Sequence, residues 1–138
     1  MFLDASAIVS ILGRESGYEE LEKRLAAAHG PFFVSPLVKF EASVALARQK
    51  SKGRKPSPEL LRQMSKAVEA FAEDIAADEI AISAEVGRLA MEAGARYGKA
   101  VGHVADLNFG DCFAYACAKS LGVSLFYKGN DFANTDLA

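Results

Sequence analysis

The stretch LNFGDCFAYACAKSLGVSLFYKGNDF, residues 107–132, constrains the fold more than any other part of the chain. From Phe113 to Leu121 it is apolar nearly all round, broken only by Lys119 and Ser120, and a helix of that kind has to be covered on several sides. The run SLFY that follows reads as a buried strand. A central helix leading into a central strand calls for a layered domain. The segment also carries acids at its edges, with Asp111 where the helix begins and Asp131 just past the strand. A buried carboxylate is costly unless a cap, a cation or a metal answers it.

The rest of the chain alternates in the same way. Phe2-Leu3 starts a short strand, and a helix is predicted from about Ser6 to Leu12. Tyr18 to His29 carries Leu21 and Leu25 among Glu and Lys, the pattern of an exposed amphipathic helix. PFFV, residues 31–34, gives a second strand, after which Ser35-Pro36 opens a helix to about Gln49. KSKGRKPSP is the clearest break. A long helix from Pro58 to about Ala77, a brief strand at EIAI, and a helix capped by Ser83 and running to about Tyr97 complete the order. Strands alternating with helices imply an α/β fold, a mostly parallel central sheet flanked by helices in three layers. At 138 residues, a single domain over 1–138 is expected.

Composition narrows the chemistry. The net charge of −2 argues against a protein that coats nucleic acid by bulk charge. No apolar run approaches the ~20 residues of a membrane span, and no leader is evident at the start. Cys112 and Cys117 fall in one helix and point to different faces, so they cannot bridge. A reducing cytoplasm fits. His29 and His103 share no zinc-like spacing with either cysteine, which leaves oxygen as the only ligand for a metal.

Four acids stand out, each with an ordinary explanation beside it. Asp4 follows the first strand, where a turn or N-cap acid is common, with Ser6 as the rival cap; it is also where open parallel sheets place ligands. Glu41 falls within a helical stripe of Leu37, Phe40, Val44 and Arg48, positions expected to face the core, where a glutamate is rarely placed for packing. A buried salt bridge is its plain alternative. Asp111, three residues after Asn108, resembles a capping box. Asp131 after Gly129-Asn130 resembles a turn aspartate. Glu15, Glu19, Glu20 and Glu22 read as a solvated helix face. If the sheet brings the four edges together, their mutual repulsion raises each pKa, and a divalent cation reverses that logic. Carboxylates without thiol or imidazole select Mg²⁺ or Mn²⁺.

These residues resemble a PIN-domain ribonuclease, in particular a VapC-type toxin of a toxin–antitoxin pair. MFLDASAIV is similar to the family's first motif and carries Asp4, with Ser6 two residues on; SPLVKFEASVAL resembles the second and carries Glu41. The segment from residue 107 to 132 resembles the third and fourth, with Asp111 and Asp131, although Gly129 stands where many PIN domains have Ser or Thr. The resemblance implies a Mg²⁺-dependent endoribonuclease with Mn²⁺ as a substitute. Asp4 and Asp111 would be principal metal ligands, and Glu41 and Asp131 would complete the shell, with Asn130 or Asp136 as alternatives to the last. It also implies an RNA substrate of the tRNA or rRNA class, a cognate antitoxin, a homodimer, and DNA contact only through the antitoxin.

RQKSKGRK, with Arg48, Lys50, Lys52, Arg54 and Lys55, reads either as a solvated loop or as a phosphate-backbone contact beside the acids. The alternative function is a catalytically silent PIN-like scaffold binding RNA or protein. A haloacid-dehalogenase-like phosphatase needs a second Asp where Ser6 stands. A receiver domain needs a strand-ending Asp that PFFVSP does not contain.

Overall fold

The computed structural model describes residues 1–137. Its four strands are β1 (Phe2–Leu3), β2 (Phe33–Val34), β3 (Asp78–Glu79) and β4 (Leu125–Phe126). Its six helices are α1 (Ala5–Gly13), α2 (Tyr18–Ala27), α3 (Pro36–Lys50), α4 (Pro58–Asp74), α5 (Ala84–Tyr97) and α6 (Phe109–Leu121), with a 3₁₀ turn at Lys99–Val101. The sheet is entirely parallel, in the order β3-β2-β1-β4. Phe2 aligns with Phe33 on one side and with Leu125 on the other. No described helix is long and apolar enough to cross a membrane.

The chain first steps outward from β1 through β2 to β3, then returns to lay β4 on the other side of β1. The gap between β1 and β4 is therefore the topological switch point, where the connections leaving neighbouring strands part in opposite directions and leave a crevice at the carboxyl ends. Asp4 N–H donates to the Phe126 carbonyl at 2.9 Å, so the ladder brings Asp4 to that crevice.

Local signals set the helix starts. Ser35, Ser57 and Ser83 each accept a hydrogen bond from a first-turn amide, and Pro36 and Pro58 stand in the first turns of α3 and α4. Asn108 and Asp111 form a full capping box for α6. That helix packs against α5, α3, β1 and β4, with residues 114–118 all buried, as its apolar character required. Cys112 and Cys117 are free thiols.

Three expectations are corrected. The long helix ends at Asp74 rather than near Ala77, since Ala76 turns to positive φ (51°), and the third strand is Asp78–Glu79 rather than residues 79–82. The stripe on α3 taken for core is also not buried. Val38, Ala42, Ser43, Leu46 and Ala47 pack inward, while Phe40 is 64% exposed and Arg48 is exposed. Phe40, Val44 and Arg48 face an open cleft instead, so Glu41 is a cleft residue rather than a core one.

Candidate active site

Each of the four acids comes from a different element, and all four line one cleft of about 670 Å³. Asp4 caps α1. Its Oδ2 accepts the Ser6 amide (2.9 Å) and the Ser6 hydroxyl (2.5 Å), and the residue is 4% exposed. Asp111 Oδ2 accepts the Asn108 amide at 2.8 Å, while Asn108 Oδ1 accepts the Asp111 amide. In both residues the cap engages Oδ2, and none of these bonds uses Oδ1. The capping explanations and the site explanation therefore hold together: the caps fix both carboxylates where they line the cleft.

Glu41 projects from α3 toward the start of α6. Its carboxylate occupies the space a Cβ on Gly110 would fill, so a glycine at that position is what allows the two helices to bring Glu41 and Asp111 together. Asp131 is exposed, beyond β4 and the positive-φ Gly129, and completes the rim.

The electrostatics show the crowding. Burial lifts the Glu41 carboxyl to about 7, with the charges of Asp4 and Asp111 adding to the effect. Burial lifts Asp111 to about 6 against the pull of its Asn108 hydrogen bond, with Asp4, Asp131 and Asp106 contributing. Asp4 is raised by burial, opposed by its Ser6 and Ala5 hydrogen bonds and helped by Asp131. Negative charge is thus held at high potential in a cleft whose donors are all hard oxygens. That set matches Mg²⁺ or Mn²⁺ and fits neither zinc nor a soft metal. Among the described residues, no three His, Cys, Asp or Glu side chains already gather on one point, so shared ligation requires carboxylate rotation.

Other expected residues divide. Arg48 lines the cleft, whereas Lys50, Lys52, Arg54 and Lys55 lie at or beyond the end of α3 and do not. Asp136 is engaged elsewhere, accepting from Tyr115 Oη (2.8 Å) and Lys119 Nζ (2.7 Å). Its carboxyl is held low, first by Lys119, and it does not line the cleft. Glu15 is not on a solvated helix face. It follows α1 and lines the cleft, paired with Lys128. Lys128 and the exposed ring of Phe40 carried no sequence signal, because a lysine in a KGND turn and a phenylalanine in an apolar stripe are both ordinary.

A parallel sheet with four acids lining the crevice at its switch point defines an acidic α/β cleft, and comparison with known proteins gives the chain a family. The PIN domain family model matches residues 1–137, and the chain belongs to the PIN domain family. It is similar to a VapC ribonuclease of Rhizobium meliloti, 50% identical over 139 residues, covering 99% of this chain and 98% of that protein. The ribonuclease VapC42 of Mycobacterium tuberculosis is 33% identical over 137 residues, covering 99% of this chain and 96% of that one. Among solved structures, the crystal structure of M. tuberculosis VapC20, described as a sarcin-ricin loop cleaving toxin, superposes with a TM-score of 0.71 at 15% identity. The superposition covers 99% of this chain and 97% of that one, and it shares the layered α/β/α fold.

Proposed function

We propose that this chain is a Mg²⁺-dependent endoribonuclease acting in the cytoplasm as the toxin of a toxin–antitoxin pair. The observation that carries the reading is the convergence of Asp4, Glu41, Asp111 and Asp131 from four elements on one cleft, where burial and neighbouring acids raise the pKa of the first three. The VapC relatives, matched over nearly their whole length, support the RNA substrate and an antitoxin partner.

Asp4 and Asp111 would hold the ion, with Glu41 and Asp131 completing the set. A bound Mg²⁺ supplies charge neutralisation at the phosphate and acidifies a water. Glu41, which receives no side-chain or backbone hydrogen bond that lowers its pKa, would be free to orient an attacking water against the phosphate. Ser6 keeps Asp4 in one rotamer while this happens. Arg48 contacts the RNA backbone, with the cations at 50–55 extending that contact outward. The substrate is of the tRNA or rRNA class, the protein forms a homodimer, and DNA is met only through the antitoxin.

A silent RNA- or protein-binding scaffold is favoured by one observation, that no three acids yet share a point. Incubating the protein with total cellular RNA in EDTA, Mg²⁺ or Mn²⁺ separates the two. The nuclease reading expects metal-dependent fragments, a loss of at least ~100-fold with Asp4→Asn, and a smaller Mg²⁺-induced rise in melting temperature with Asp111→Asn. Near wild-type cleavage by folded Asp4→Asn protein sinks the site assignment. RNA binding without cleavage under every condition establishes the scaffold.

A further inference from the structure

Even with a divalent ion offsetting part of the charge, a substrate phosphate entering a cleft of four carboxylates gains from a side-chain cation that is fixed in place yet free to change partner. Arg48 and Lys128 are the cations that line it. Lys128 is the better placed. Its backbone N–H donates to Ser6 Oγ at 3.1 Å, and Ser6 Oγ donates to Asp4 Oδ2, so two hydrogen bonds tie its main chain to the first acid. Its ammonium reaches to Glu15 Oε2 at 3.1 Å, both side chains being about one-third exposed (32% and 34%). Glu15 Oε1 in turn accepts from Gln49 Nε2 at 3.2 Å. The Gln49 amide lies where a Cβ on Gly13 would stand, so the end of α3 closes directly onto the end of α1. Three elements thus meet in a row, Gln49–Glu15–Lys128, beside the acids.

We propose that Lys128 is the residue that positions the substrate phosphate in this cleft, and that Glu15 is its internal counterion, displaced when RNA binds. The inference rests on the nuclease reading above. A lysine ammonium is a compact charge with three donors and no fixed fork, so it can pass from carboxylate to phosphate without rebuilding its surroundings. A solvent-accessible ion pair is worth little, about 0–1 kcal/mol, so exchanging Glu15 for a phosphate loses little, while a charge-assisted contact to phosphate is strong. Gln49 keeps Glu15 at the rim after it lets go. A purely structural tie would use the same atoms, but it predicts a different sign when Glu15 is neutralised.

The test is steady-state cleavage of a fluorescein-labelled single-stranded RNA oligonucleotide in Mg²⁺ by wild type, Lys128→Met, Lys128→Arg and Glu15→Gln, across a salt series. Melting temperatures are recorded for each. The proposal expects Lys128→Met to raise KM about tenfold and to lower the log–log salt slope of kcat/KM by about 0.7, one phosphate contact on single-stranded RNA. Lys128→Arg should recover most of that loss. Glu15→Gln should shift KM the other way, several-fold down, because Lys128 is released from its counterion. If Glu15→Gln and Lys128→Met move KM in the same direction, with matching falls in melting temperature, the pair is a structural tie and the proposal is overturned while the nuclease reading stands. If wild type cleaves no RNA, the nuclease reading fails and this inference falls with it.

Discussion

Replacing Glu41 by Gln should stabilise the metal-free protein at alkaline pH, the opposite of what loss of a buried polar contact would do. Glu41 has an ordinary carboxyl value of 4.5 raised to about 7, by burial first and then by Asp4 and Asp111, with no hydrogen bond pulling it back. The folded state therefore binds the proton more tightly than the unfolded chain does. Stability from this group is complete below about 4.5 and is lost as pH rises through about 7. At ~1.4 kcal/mol per pKa unit the full penalty is about 3 kcal/mol, and because Glu41 is only partly buried, solvent screening reduces this to ~1–2 kcal/mol. Glutamine keeps the shape against Gly110 and removes the charge. Thermal unfolding in EDTA should show Glu41→Gln melting ~3–6 °C above wild type at pH 8. At pH 4.5 the two should agree within about 1 °C, because the wild-type penalty has nearly vanished there. Equal destabilisation of the variant at both pH values would refute the reasoning, because Glu41 would then be a structural group under no electrostatic load.

Gly110→Ala tests the seat of the same carboxylate. Alanine is the better helix former by ~1 kcal/mol, so stability in EDTA should hold or rise, yet the new methyl displaces Glu41 and should lower RNA cleavage at least ~10-fold; wild-type cleavage would show that the close approach of Glu41 to α6 is dispensable. Neutralising Lys50, Lys52, Arg54 and Lys55 together should weaken RNA binding and flatten its salt dependence by ~0.7 per lost phosphate contact. An unchanged slope would leave that turn a solvated loop, with the phosphate contacts confined to Arg48 and Lys128 in the cleft.

What could be read from sequence alone was what neighbouring residues decide. Ser35-Pro36, Ser83 and the Asn108/Asp111 pair act within one helical turn, and the helices start where those residues place them. Asp4, Asp111 and Asp131 stood out because acids at strand ends and helix starts are expensive unless they share a purpose, and Glu41 because a glutamate is rare in a stripe expected to be core. The inward face of α3 was misjudged for a long-range reason. Phe40 and Val44 are apolar like Val38 and Leu46, and only the opening beside β1 decides which of the two stripes is covered. Glu15 and Lys128 meet across nearly the whole chain, and no local pattern reports such a pair. The strands are two residues each, too short for alternation to mark their limits.

The placement of β4 beside β1 has a consequence for how the chain comes to life. Ser6, two residues after Asp4, leaves the ribosome 122 residues ahead of Lys128, whose strand and loop supply the carbonyl that receives the Asp4 amide and the side chain of Asp131. Contacts of such long sequence separation form late, because their loop-closure entropy must be met before they reward the fold. Synthesis at ~5–20 residues per second makes the wait one of several seconds at least. Throughout it, β1 has an open side, Ser6 has no Lys128 amide to hold, and the acid cleft has only part of its wall. The acid cleft is therefore incomplete until β4 docks beside β1.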